Sequence, residues 1–163
     1  MTPTNQHVNV GPTQRIPVGY NAGSIYIAGP MTGRPFFNRA AFDAAEARLK
    51  RDHWKAVFNP VNRDVAVYGE GLFENAMGDI AYAKERYGFD KREALGADLK
   101  WICEEADALY MLTGWQGSSG ARAEMAVAEA LGLMVFHENY YPLDMKIATY
   151  YVLEQQWKSK KEA

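Results

Sequence analysis

The sequence predicts an α/β protein made of one domain, with a doubly wound parallel sheet of four or five strands. Short apolar runs alternate with helical stretches from Ser24 onward, and that alternation gives a parallel sheet with helices on both faces. Several of the apolar runs stop at a Gly-Pro pair, an Asn-Pro pair or a glycine-containing loop, as buried strands do. A chain of 163 residues, 48% hydrophobic and 23% charged, suits a single globular core.

Residues 1–20 are polar, carry Pro and Gly and show no period, so they are expected to be a mobile tail, with the domain over 21–163. The first strand is Ser24-Ile25-Tyr26-Ile27-Ala28, closed by Gly29-Pro30. Asn38 is a candidate N-cap for a helix with Phe42, Ala45 and Leu49 on one face. Ala56-Val57-Phe58 is a second strand, ending at Asn59-Pro60. From Asn62 to Gly96, glycines fall between aromatic and charged residues, and a loop and a helix across the mouth of a pocket are expected. A helix follows over 91–105, a strand over 108–112, a glycine-containing loop over 113–120, and a helix over 121–131 with Gly132 as its C-cap. Leu133 to Phe136 is the fourth strand, and a last helix is expected over 144–160. Ligands of such folds sit at the carboxyl ends of the strands, where the loops after the first and third strands fall.

Composition excludes several function classes. A net charge of −2 argues against a protein held to polymeric nucleic acid by phosphate neutralisation, though not against binding one nucleotide. No apolar run approaches the roughly 20 residues of a membrane helix, and the first residues lack the order of a signal peptide, so a cytoplasmic location is expected. Cys103 is the single cysteine, and His7, His53 and His137 have no zinc-ligand spacing. No metal or other cofactor is expected; the chemistry must come from carboxylates, hydroxyls and backbone groups.

The strongest local feature is Gly114 to Glu124, a Gly/Ser loop running into a helix. The first turn of a helix has unpaired N–H groups and a partial positive charge. Small residues such as Gly117 and Gly120 let an anion approach them, and Ser118 and Ser119 add hydroxyl donors. The alternative is an ordinary turn and cap. It is not a P-loop, since the Gly-Lys-Ser/Thr ending is absent. Glu124 shares a helix side with Ala128 and Leu131; if Leu131 faces the sheet, Glu124 points inward, and the helix N-terminus should help keep it ionised. A fixed carboxylate suits attack on an anomeric carbon; the alternative is a surface residue favouring the helix dipole. Asp98 stands mid-helix, either on a solvated face or as a carboxyl near a leaving group. Tyr26 is a core residue or one whose hydroxyl reaches Glu124 or a sugar. Arg34, Arg39 and Arg122 are candidate phosphate partners, Trp101 and Trp115 stack on a base or pack, and Cys103 has no activating base in view.

Together these segments resemble the nucleoside 2-deoxyribosyltransferase-like superfamily, and in particular a small, often phage-encoded branch. Residues 25–33 look like its opening strand and turn, Phe58-Asn59-Pro60 like the end of its second strand, Asp98 to Asp107 like its aspartate helix, and Gly117 to Glu124 like its nucleophile motif. The resemblance implies a flavodoxin-like (Rossmann-like) fold. It makes Glu124 a nucleophile that forms a covalent sugar–enzyme intermediate, and Asp98 the base-side acid. Tyr26 would orient the nucleophile or sugar. Gly29, Pro30 and Met31, with Asn59 and the loop of Gly117, Ser118, Ser119 and Gly120, would bind substrate; Gly29 would let the chain approach the ligand, and Ser118 would contact its 5′ end. A homodimer or higher homo-oligomer is also implied. The 2′-deoxynucleoside 5′-phosphate N-hydrolase branch is similar in its Ser118 type, but Thr32 stands where that branch carries arginine, with Arg34 two residues on. The expected activity is therefore cleavage or exchange of the N-glycosidic bond of a (deoxy)nucleoside 5′-monophosphate, with nucleoside deoxyribosyl transfer or a non-catalytic nucleotide sensor as alternatives.

Overall fold

The computed structural model describes residues 7–9, 15–17 and 22–140, with side chains over 23–139. The strands are β1 (His7–Asn9), β2 (Arg15–Pro17), β3 (Ala22–Ala28), β4 (Trp54–Phe58), β5 (Ala108–Met111) and β6 (Met134–His137). The helices are α1 (Arg39–Arg51), α2 (Pro60–Tyr68), α3 (Ile80–Tyr87), α4 (Lys91–Glu105) and α5 (Ser119–Leu131). Short 3-10 turns cover Pro35–Asn38, Glu70–Glu74, Trp115–Gly117 and Glu138–Tyr140. Within the stretch read as a tail, β1 and β2 pair antiparallel, a local ribbon that polarity and missing periodicity do not reveal. The expected helix over 144–160 lies outside the described residues.

Four strands form one parallel sheet in the order β4-β3-β5-β6, the doubly wound, flavodoxin-like arrangement expected. From β3 the chain winds one way through α1 to β4, and from β5 the other way through α5 to β6. The switch in direction therefore falls between β3 and β5, where ligands of this fold class bind. The registers pair Ile25 with Ala108 and Ala28 with Met111, so the carboxyl ends of β3 and β5 are level.

Strand alternation sorts the core into two layers. Ile25, Ile27, Ala108, Tyr110 and Leu112 pack on one face with Phe42 and Leu49 of α1. Tyr26, Ala28, Leu109 and Met111 pack on the other with Ile102 of α4 and Ala121 and Ala128 of α5. The stripe of Phe42, Ala45 and Leu49 is buried as its spacing predicts. Leu131 is not: it is 49% exposed in the last turn of α5, beyond the sheet. Gly132 takes φ +67 and closes a Schellman motif, in which Leu133 N–H donates to the Ala128 carbonyl at 2.9 Å. Leu133, past the turn, supplies the apolar contact instead.

Asn38 precedes α1 but caps nothing; its side-chain amide donates to the Pro30 carbonyl at 3.0 Å. Between Asn62 and Gly96 there is more helix than the glycines suggest. Asn59 caps α2 with Pro60 at its first position, and Asp79 and Asp90 cap α3 and α4. The glycines serve as turn residues between helices: Gly78 has φ +60, and its N–H and carbonyl bond Asn75 and Gly33. A Cβ at Gly78 would lie 2.2 Å from the Arg34 carbonyl oxygen, whereas Gly88, at φ +68, faces open space. Gly88→Ala is therefore expected to cost about 1–2 kcal/mol for the left-handed backbone alone, and Gly78→Ala clearly more. Urea unfolding of the two variants measures the difference, and equal losses would contradict the close approach.

Candidate active site

A cavity of about 340 Å³ opens at the carboxyl ends of β3 and β5, at the size of small-molecule sites. One wall is the turn after β3, with Gly29, Pro30, Met31, Thr32 and Arg34; opposite it lies the loop before α5, with Gly117, Ser118, Ser119 and Gly120. Elements from 62–96 supply a third wall, so the stretch read as covering the mouth does border the cavity.

Glu124 sits on the buried stripe of α5 with Ala121 and Ala128, spaced i, i+3 and i+7, and is only 6% exposed. Its side chain points inward as expected, although through Ala121 and Ala128 rather than Leu131. Tyr26, fully buried on the facing strand, donates its hydroxyl to Glu124 Oε1 at 2.9 Å. The Tyr26 ring is stacked on Phe58 and tilted against Trp101, which fixes the hydroxyl's position. Burial and the neighbouring acids push the Tyr26 phenol well above its ordinary range, so it stays a donor. Tyr26 does not itself line the cavity; it holds Glu124 from behind.

Asp98 lies on the corresponding stripe of α4, between Ala94 and Ile102, and is 9% exposed. It is no solvated helix face. Its Oδ1 is buried with no hydrogen-bond partner among the described residues. Burial raises the Asp98 carboxyl to about 7, with the charge of Asp64 adding to the rise. Burial first and then the charge of Asp98 raise Glu124 to about 8, while the Tyr26 hydrogen bond pulls it back. Burial and the charge of Asp98 thus work against the ionisation of Glu124 that the helix N-terminus was expected to favour. The two acids titrate as a pair. Tyr26 donates to Glu124 Oε1 and also acts on Asp98, while no described residue donates to Asp98 Oδ1. Near neutral pH the two carboxyls hold a proton between them.

Ser118 is the N-cap of α5, its Oγ accepting from Ala121 N–H at 3.2 Å. The cap reading holds, and the loop lines the cavity as well. The cap leaves the N–H groups of Ser119 and Gly120 without a partner among the described residues. Lys91 of α4 reaches across to Ser119, Nζ to Oγ 3.3 Å, and also lines the cavity. Arg34 packs over Gly114 at the rim, so near that a Cβ there would lie 2.9 Å from Nη2.

Several candidates do other work. Asn59 does not border the cavity: its carbonyl caps α2 through Val61 N–H, and its amide donates to Asp43 and Glu46. Gly29 borders it, but its missing Cβ is explained by packing, because a Cβ would lie 2.8 Å from Leu112 Cβ and Cδ1. Arg39 pairs with Asp43 and Glu70, and Arg122 donates to the Gln116 carbonyl. Trp101 packs on Phe58, and Trp115 on His137, away from the cavity. Asp107 secures the start of β3 through Ser24 N–H at 2.7 Å. Cys103 is exposed.

The sequence reading missed Asp64, a third buried acid on the cavity wall. The signal for it was present: once Asn59-Pro60 opens a helix, Val61, Asp64, Val65 and Tyr68 fall on one stripe. Among the described residues no group of histidine, cysteine and acidic side chains could hold a metal ion, and no helix is long and apolar enough to cross a membrane.

The family model described as "Domain of unknown function (DUF4406)" matches residues 23–137. The chain belongs to this family. The DUF4406 match runs from the second residue of β3 to the last of β6, and contains every residue that lines the cavity. No curated protein and no solved structure matches the chain.

The buried acids set the direction of a pH effect. Glu124 and Asp98 bind protons more tightly folded than unfolded, so between about pH 4 and pH 8 the folded state holds more protons. Their contribution to stability is highest at the low end of that window and is lost as pH rises through it. Melting temperature should fall from pH 5.5 to pH 8.5, and Glu124→Gln should flatten the fall. Parallel curves for the two proteins in scanning calorimetry would contradict the assignment.

Proposed function

We propose that the protein cleaves the N-glycosidic bond of a (deoxy)nucleoside 5′-monophosphate, releasing free base through a covalent intermediate on Glu124. The observation that carries this reading is the pairing of two buried carboxyls in one cavity. Glu124 is held by Tyr26, and Asp98 keeps an oxygen with no partner among the described residues. Burying two acids is costly, and a site that only binds an anion gains nothing from them. Poised acids with raised pKa values suit a nucleophile and a proton donor. The first-turn N–H groups of α5, with Ser119 and Lys91, offer a place for a phosphate in the same cavity. The resemblance of the sequence motifs to the deoxyribosyltransferase-like superfamily supports the same chemistry and adds the expectation of a homo-oligomer.

In the first step a Glu124 carboxylate oxygen attacks C1′ and forms a sugar ester. The C1′–N bond breaks, its electron pair stays with the base nitrogen, and the Asp98 proton goes to the base. In the second step Asp98, now ionised, takes a proton from water as the water oxygen attacks C1′. The ester bond breaks, Glu124 is freed, and two inversions give net retention. A second base in place of water gives exchange instead. Tyr26 is a positioning residue, holding the Glu124 charge on the attacking side.

Chromatography of reactions with deoxynucleoside monophosphates, nucleosides and ribonucleotides should detect base released from a monophosphate. Glu124→Gln should lower the rate by at least about a thousandfold while leaving the fold intact. Full activity in that variant would sink the assignment. Tyr26→Phe should lower kcat by about 10- to 100-fold, with KM little changed, as expected on losing a hydrogen bond to a charged group. Base released only when an acceptor base is added would mark a transferase.

A further inference from the structure

Asp64 is not used by the mechanism above. It is 4% exposed on the inner stripe of α2, and it lines the cavity that holds Glu124 and Asp98. Its Oδ1 accepts from Arg63 Nη1 at 2.9 Å, and no described residue hydrogen-bonds to Oδ2. Arg63 is itself bound by Glu93, which also accepts the Tyr68 hydroxyl at 2.7 Å, and the guanidinium lies against the Tyr68 ring. Arg63, Tyr68 and Glu93 stand behind the cavity wall, so they fix Asp64 from outside and leave its second oxygen to the interior. Burial raises the Asp64 carboxyl to about 6 against the pull of Arg63, which leaves it ionised at neutral pH.

The surroundings of Asp64 are unlike those of the α5 loop. Phe37, Leu72, Phe73 and Phe89 line the cavity here, with Phe37 set against both Phe73 and Phe89. An aromatic enclosure with one fixed acceptor suits a flat heterocycle. Asp64, Asp98 and Glu124 line the same cavity, and the charge of Asp64 reaches Asp98 as that of Asp98 reaches Glu124. A nucleotide whose C1′ meets Glu124 and whose base nitrogen meets Asp98 then carries the far edge of its base toward Asp64.

Resting on the glycosidic reading above, we infer that Asp64 selects the base, accepting an N–H from an exocyclic amino group. The substrates are nucleotides of amino-bearing bases: adenine, cytosine or guanine. A carboxylate is acceptor-only, and the carbonyl oxygen that uracil, thymine or hypoxanthine carries where cytosine or adenine has its amino group would face it with lone pairs. Such a mismatch leaves buried polar groups unpaired and is strongly discriminating.

Calorimetric titration of the Glu124→Gln protein, which should bind without turnover, compares dAMP and dGMP with dIMP, and dCMP with dUMP. The amino member of at least one pair should bind about tenfold tighter or better. Adding Asp64→Asn should abolish or reverse that preference, because an amide can donate to the oxo member as well as accept from the amino member. Equal affinity within every pair, or a preference that survives Asp64→Asn, overturns the inference. The pairwise comparison needs no Asp64 variant, so it stands even if that variant does not fold. Amino-selective binding together with no base release by the wild-type protein keeps the role of Asp64 and removes the glycosidic reaction. No binding of any nucleotide removes both.

Discussion

The removal of Glu124 from water, against a strand that offers it a single hydroxyl, is the constraint around which the rest of the site is arranged. Its carboxyl is enclosed by the sheet, by α4 and by the first turns of its own helix. Tyr26 is its one hydrogen-bond donor among the described residues. That contact exists because strand alternation puts Tyr26 on the opposite face from Ile25 and Ile27. The small residues Ala121 and Ala128 let α5 lie close to that face. Phe58 and Trp101 then hold the ring in place.

From that constraint the electrostatics follow. Asp98 is brought in by α4, again on a stripe that is otherwise apolar, and two buried acids side by side resist double ionisation. Tyr26 donates to Glu124 Oε1 across this pair, while Asp98 Oδ1 has no partner among the described residues. The cavity lining combines backbone N–H groups of α5 and Lys91 with the rings of Phe37, Phe73 and Phe89 and the carboxyls of Asp64, Asp98 and Glu124.

Much of the fold was legible because strands and helices differ in period and end on different residues. The four parallel strands, the stripe of Phe42, Ala45 and Leu49, the bounds of α4 and the Gly132 cap all followed from local rules. The stretch from Asn62 to Gly96 did not, because its glycines look like loop. In fact they join short helices whose aspartate and asparagine caps are the better guide. Leu131 misled for a related reason: periodicity assigns a face to a residue without saying where the sheet beneath it ends.

What the sequence determined by itself was the parallel α/β layout, the place of the Gly/Ser loop before α5 and the candidacy of Glu124, Asp98 and Tyr26. These depend on short-range pattern and on residue chemistry. Tertiary structure alone decided which side chains meet. It joined Tyr26 to Glu124 across 98 positions, and it brought Asp64 to the wall those acids share. It drew Asn59 into helix capping and Gly29 into packing against Leu112. It also set the protonation of the acids, because the free energy of a charge depends on how much water the whole fold leaves around it, which no local spacing encodes.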